Sequence, residues 1–240
     1  MSFKTTSSLR FASRQLPHTA KMPAFILHGG RTSTNTMRVR LTLSEGNFTD
    51  YEFANVNLLK GEQKSEEHKK RHPWGKVPTV TFPNGFTLHE SRAICKYLAT
   101  KYSIPLLPPT SDAEATARFD EAQSVEMFYF ADPVQKLAFE KFIKKFMTGG
   151  APDEKVVADS LQALETFFDN AEQLLQKRTY MAGKSYTLID VYYIPLMLRL
   201  FAVGHGDLIT SRRAVNAWYE RCLSRPAIQR VMAADREAAA

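Results

Sequence analysis

The chain has 240 residues, 44% hydrophobic and 24% charged, which is enough to bury a sizeable core in one or two domains. The 32 basic and 25 acidic residues leave a formal charge of +7. Lys4, Arg10, Arg14 and Lys21 lie in residues 1–23, which hold no acid, so the rest of the chain carries 28 minus 25, or +3. That modest excess, with no aromatic-and-arginine recognition motif, argues against nucleic acid as a partner, and no apolar run reaches the ~18 residues of a membrane span.

Residues 1–23 are rich in Ser, Thr and Arg and place Phe3, Leu9, Phe11 and Leu16 at roughly helical spacing. They read either as an organelle transit peptide or as a disordered extension. The expected location is therefore cytoplasmic, or mitochondrial or otherwise organellar if the leader is a transit peptide. Next comes a buried strand over 24–27, a glycine loop, and a helix over 34–45 with Ser33 at its start. A strand over 51–59 follows. Segments 76–82 and 86–88 then form a hairpin around Pro83, Asn84 and Gly85, and a helix covers 90–102.

Three prolines in "SIPLLPPT" mark 103–111 as a linker. Beyond it, apolar residues recur with helical period over 112–130, 133–147, 153–176, 188–201 and 211–223. The expected architecture is a small α/β domain over 24–102 and an all-helical domain over 112–240. Cys95 and Cys222 are the only cysteines, with no metal-ligand spacing, so neither a disulfide scaffold nor a metal centre is expected.

Four places carry chemistry. A cis peptide at Val77-Pro78 would turn the backbone of Val77 toward an open edge, a dock for an extended peptide. Glu90 and Ser91 stand before a helical run, where they either cap the helix or receive a ligand's ammonium and carboxylate. Ser33 starts the first helix, as an ordinary cap or as a hydroxyl that donates to a thiolate there. No GxSxG elbow accompanies it, which disfavours a hydrolase. Thr187 and Asp190 have the spacing of a capping box, a folding motif.

Taken together, "STNTMRV", "LLKGEQK", "HPWGKVPTV", "LHESRAICKYL" and "GGAPDEKVV" resemble, in order, a glutathione transferase of the phi class, over about residues 24–230. The resemblance implies a thioredoxin-like domain followed by an all-α domain, glutathione as co-substrate, no metal, and a homodimer. It implies that Ser33 supports the glutathione thiolate, that Glu90 and Ser91 hold the γ-glutamyl end, and that Val77, ahead of the structural Pro78, pairs with the tripeptide backbone. Gln63, Lys64 and Lys76 fall at positions that contact the glycyl end and neighbouring backbone. Gln63-Lys64 stands where the family commonly has His-Lys, and Lys76 where it commonly has Gln; both retain hydrogen-bond donors.

By the same resemblance, Thr34, Leu58, Met127, Phe128 and Phe130 line a pocket for hydrophobic electrophiles, with core or interface packing the alternative for the aromatic run. The implied activity is conjugation of the glutathione thiolate to such electrophiles, with hydroperoxide reduction as a side activity, in detoxification. The competing reading is a ligand carrier that keeps this fold without turnover.

Overall fold

The structure, a computed structural model, describes residues 22–238. Residues 1–21 of the expected leader lie outside them. The first domain runs β1 (Ile26–Gly29), α1 (Thr34–Glu45), β2 (Glu52–Asn55), a short 3-10 turn, α2 (Glu66–Arg71), β3 (Thr79–Thr81), β4 (Thr87–His89) and α3 (Ser91–Lys101). Its sheet has the order β2-β1-β3-β4, with β2 parallel to β1 and the other pairs antiparallel.

The sheet register decides where the chemistry lies. His28 pairs with Thr79, and Thr79 with His89. The end of β1, the start of β3 and the end of β4 therefore meet at one end of the sheet, so the loop to Ser33, Val77-Pro78 and Glu90-Ser91 emerge side by side. Gly29 and Gly30 allow the close packing there. A Cβ on Gly29 would stand 2.4 Å from Thr36 Cγ2, and one on Gly30 would stand 2.9 Å from Leu58 Cδ1. Strand β1 starts two residues later than its apolar run, because its ladder begins where β2 and β3 supply partners.

The second domain starts with α4 (Ala113–Val125), α5 (Asp132–Ala138) and α6 (Lys144–Thr148). These are joined through two widened π turns, Glu126–Ala131 and Phe139–Ile143, into one rod over 113–148. The expected break before Pro133 is absent. This proline falls in the first turn of α5, just after the first π turn, where a missing N–H costs little. Helices α7 (Glu154–Leu175), α8 (Leu188–Ala202), α9 (Asp207–Thr210), α10 (Arg213–Leu223) and α11 (Pro226–Glu237) complete the domain.

Helix α8 is the axis of the core, with Val191, Tyr192, Tyr193, Ile194 and Met197 fully buried. The predicted capping box is present. The Thr187 side chain accepts from Ile189 N at 3.3 Å, and Asp190 Oδ2 accepts from Thr187 N at 2.9 Å. Helix α11, which the periodicity did not delimit, returns to the first domain. There Arg225 Nε and Nη2 bind Glu45 at 2.6 and 2.7 Å, and Arg40 pairs with Asp235 at 2.7 Å.

Candidate active site

Ser33 is the N-cap of α1, and its Oγ accepts from Thr36 N at 3.2 Å. That bond uses a lone pair and leaves the hydroxyl proton free to be donated. The hydroxyl also sits where the first backbone N–H groups of the helix and its dipole favour negative charge. Ser33 thus combines a cap with an available donor. Thr34 follows in the first turn, and Leu58 covers Gly30 from the loop after β2.

Glu90 and Ser91 depart from the simple capping reading. Glu90 occupies the N-cap of α3 and makes no side-chain cap bond, while Ser91 is already the first helical residue. Glu90 holds φ 70°, a left-handed value rare outside glycine that costs on the order of 1–3 kcal/mol. It holds an exposed carboxylate beside a helix start whose first N–H groups lack intrahelical acceptors. Ser91 is buried, with its Oγ 3.5 Å from Arg38 Nη1.

The Val77-Pro78 peptide is cis. The N–H and C=O of Val77 make no backbone hydrogen bond among the described residues, so an extended peptide can pair there. The neighbouring loop is held by His68, whose Nε2 lies 2.7 Å from the Lys76 carbonyl, and by Lys64, whose Nζ reaches the Trp74 carbonyl at 3.4 Å. The Lys76 side chain is exposed, and the Gln63 Oε1 is buried without a partner in the chain. His72 packs under this corner against His89, with ring centroids 4.6 Å apart, and burial lowers its pKa.

A buried ionic cluster joins this end of the sheet to the second domain. Glu126, fully buried at the first π turn, accepts from Arg92 Nε at 2.6 Å and Nη2 at 2.8 Å, and from Arg38 Nη2 at 3.3 Å. Arg38 also donates to Tyr192 O at 3.0 Å and to Asn35 Oδ1. Burial pushes the Arg38 guanidinium down to about 10, against the opposing pull of Glu126. Two arginines around one carboxylate fix the start of α3, because Arg92 directly follows Ser91. His68, Arg38 and Glu126 went unmarked in the sequence, although charges inside the otherwise apolar "MRVRLTL" were the available signal.

The aromatic run at 127–130 requires correction. Phe130 is fully buried among Phe167, Phe168 and Tyr193, as a core side chain. Phe128 lines a groove of about 790 Å³ between the 113–148 rod and α7, to which the first domain contributes no residue. Met127 is exposed on the same rod. Helical geometry points four successive residues in different directions, so the cluster divides between core and surface. The second domain's aromatic contact with the Ser33 loop runs through Phe142. Its ring lies 5.3 Å from the Arg199 guanidinium, which donates to Thr32 O at 3.2 Å. Cys95 is buried, its thiol pushed up to about 12, and is no nucleophile.

A thioredoxin-like sheet with an open backbone beside a cis proline, a serine at a helix start and an appended helical domain define a two-domain class whose first domain offers an edge for an extended peptide. Comparison with known proteins supplies the family. Residues 23–100 match the N-terminal domain of glutathione S-transferases, and residues 129–226 match their C-terminal domain. The chain is 37% identical over 190 residues to the glutathione S-transferase hmp2 of Hypomyces subiculosus, covering 78% of this chain and 89% of that one. It is 34% identical over 207 residues to glutathione S-transferase 1 of Zea mays, covering 86% and 95%. The structure of maize glutathione S-transferase I in complex with an atrazine glutathione conjugate superposes with a TM-score of 0.80, at 33% identity, covering 89% of this chain and 98% of that one. The chain belongs to the glutathione S-transferase family and is a transferase of its phi-class-like, serine type.

Proposed function

We propose that this site ionises the thiol of glutathione and transfers the thiolate to hydrophobic electrophiles, in a detoxifying role. The observation that carries the reading is the Ser33 hydroxyl, which accepts from Thr36 N and keeps its proton to donate. A free thiol with a pKa of about 8.5 is only a few per cent ionised at neutral pH. Lowering it by about two units takes roughly 2.7 kcal/mol, within reach of one hydroxyl donor and a helix N-terminus together.

In this reading Glu90 meets the ammonium of the γ-glutamyl end and Ser91, with the start of α3, meets its carboxylate. The backbone of Val77 pairs with the central residue, and Gln63, Lys64 and Lys76 receive the glycyl end. The thiol proton leaves to solvent, the sulfur bonds to the electrophilic carbon, and a halide departs or an enolate takes up a proton. Hydroperoxide reduction is a side activity. The thiolate takes one peroxide oxygen, the alcohol leaves, and a second glutathione releases water and the disulfide. Thr34, Leu58 and Phe142 are the nearest candidates for the electrophile wall.

The functional unit in this proposal is a homodimer. Trp74 is 69% exposed on the loop before β3, and the groove beside Phe128 and Tyr129 is a socket of matching apolar character for the same residue of a second copy.

The test is conjugation of glutathione to 1-chloro-2,4-dinitrobenzene, with reduction of cumene hydroperoxide, by the wild type and Ser33→Ala. The variant is expected to lose most turnover and to shift its pH-rate profile upward. Equal rates and profiles would remove Ser33 from the mechanism, and a wild type that binds glutathione without turnover would be the ligand carrier instead.

A further inference from the structure

Arg199, on the last turn of α8, is a partly buried cation that no carboxylate among the described residues pairs with. Arg38, Arg40, Arg92, Arg212 and Arg225 each pair with Asp or Glu. For Arg199 the described residues supply only the Thr32 carbonyl at 3.2 Å and the face of Phe142. Burial lowers its pKa, with no acid to oppose the shift. A guanidinium carries five N–H donors, so one bond to a carbonyl leaves most of them unassigned.

Its position gives those donors a use. Thr32 immediately precedes Ser33, so Arg199 is anchored to the loop that carries the thiol-supporting hydroxyl. On its other side Phe142 and Phe146 are exposed with ring centroids 5.1 Å apart, and Phe139 and Ile143 are exposed on the same π turn. Lys141 and Lys145 are exposed between them, while Lys144 is engaged with Glu140 at 2.7 Å. An aromatic strip that ends at an unpaired guanidinium suits a molecule with an apolar body and one anionic group.

We propose that Arg199 is a specificity-determining residue that binds the carboxylate of an apolar acidic electrophile, the preferred class of second substrate. The inference rests on the thiol-transfer reading above and narrows it. With the carboxylate on Arg199 and the apolar body over Phe142, the reactive carbon is carried toward the sulfur held at Ser33. A neutral electrophile of the same shape lacks the charge-assisted bond. It also leaves the guanidinium desolvated without compensation.

The test compares ethacrynic acid with its methyl ester, one enone with and without the charge, in the full-length wild type, Arg199→Gln and Arg199→Lys. The quantity read is the ratio of kcat/KM for acid over ester. It is expected to fall about tenfold in Arg199→Gln, the size of one charge-assisted bond, and to be largely kept in Arg199→Lys. A ratio unchanged in Arg199→Gln, with both substrates slowed together, would mean that Arg199 only braces the Thr32 carbonyl and would overturn the proposal.

A wild type inactive on the acid, the ester and 1-chloro-2,4-dinitrobenzene alike would defeat the thiol-transfer reading. Displacement of bound 8-anilinonaphthalene-1-sulfonate by acid and by ester then decides Arg199 separately. A tenfold loss confined to the acid in Arg199→Gln supports the anion site, and parallel behaviour of acid and ester refutes it.

Discussion

Replacing Asp190 by Ala should cost far more than the loss of a helix cap. The carboxylate is fully buried and accepts from Thr187 N at 2.9 Å, Met181 N at 3.1 Å and Trp218 Nε1 at 2.9 Å. Alanine removes a cap worth about 1 kcal/mol. It also strands the Met181 and Trp218 donors in the core, at about 1–3 kcal/mol each. The expected loss is about 3–7 kcal/mol, a fall in Tm on the order of 10 °C or more for a chain of this size. Urea unfolding with the m-value fitted measures it, and a loss below about 1 kcal/mol at unchanged m would refute this bookkeeping. The pH dependence has a defined sign. Burial raises the Asp190 carboxyl from 3.8 to about 6, so the folded chain binds this proton more tightly than the unfolded chain. The group's contribution is therefore fullest below about pH 4 and is lost as pH rises through about 6. The stability gap between wild type and variant should be wider at acidic pH than at neutral pH.

Glu126→Ala leaves Arg38 buried without a countercharge and should destabilise by about 3–5 kcal/mol, whereas Glu126→Gln, which keeps an acceptor, should lose less. A denaturation midpoint equal to wild type in the alanine variant would contradict the buried-pair account. Trp74→Ala should shift sedimentation toward a monomer if the exposed indole seats in the groove of a second copy. An unchanged sedimentation coefficient would remove Trp74 from that interface.

Local features of the fold were legible in the chain. The helix expected over 34–45 has those bounds, Ser33 caps it, and the hairpin turns at Asn84 and Gly85, where Gly85 takes φ 84°. These follow from spacing and from residues whose backbone preferences are strong. Contacts over long separations were not legible. The bond between Arg38 and Glu126 spans 88 positions, and the one between Arg199 and Thr32 spans 167. No local pattern encodes either. Phe130 was misread because an aromatic run states that rings are present without stating which way each points. The π turns then rotate the rod and reset the phase. Glu90 was read as flanking a cap, whereas its left-handed backbone at the N-cap could be seen only in the structure.

The return of α11 onto α1 gives the chain an unusual timetable. The helix capped by Ser33 is covered on one flank by side chains 180 and 195 positions further on, through Glu45 with Arg225 and Arg40 with Asp235. A ribosome that has released the first hundred residues has made every group assigned here to glutathione. It has not yet made the segment that seats their helix. The side chains that cover the C-terminal half of α1 are thus made long after every group assigned here to glutathione.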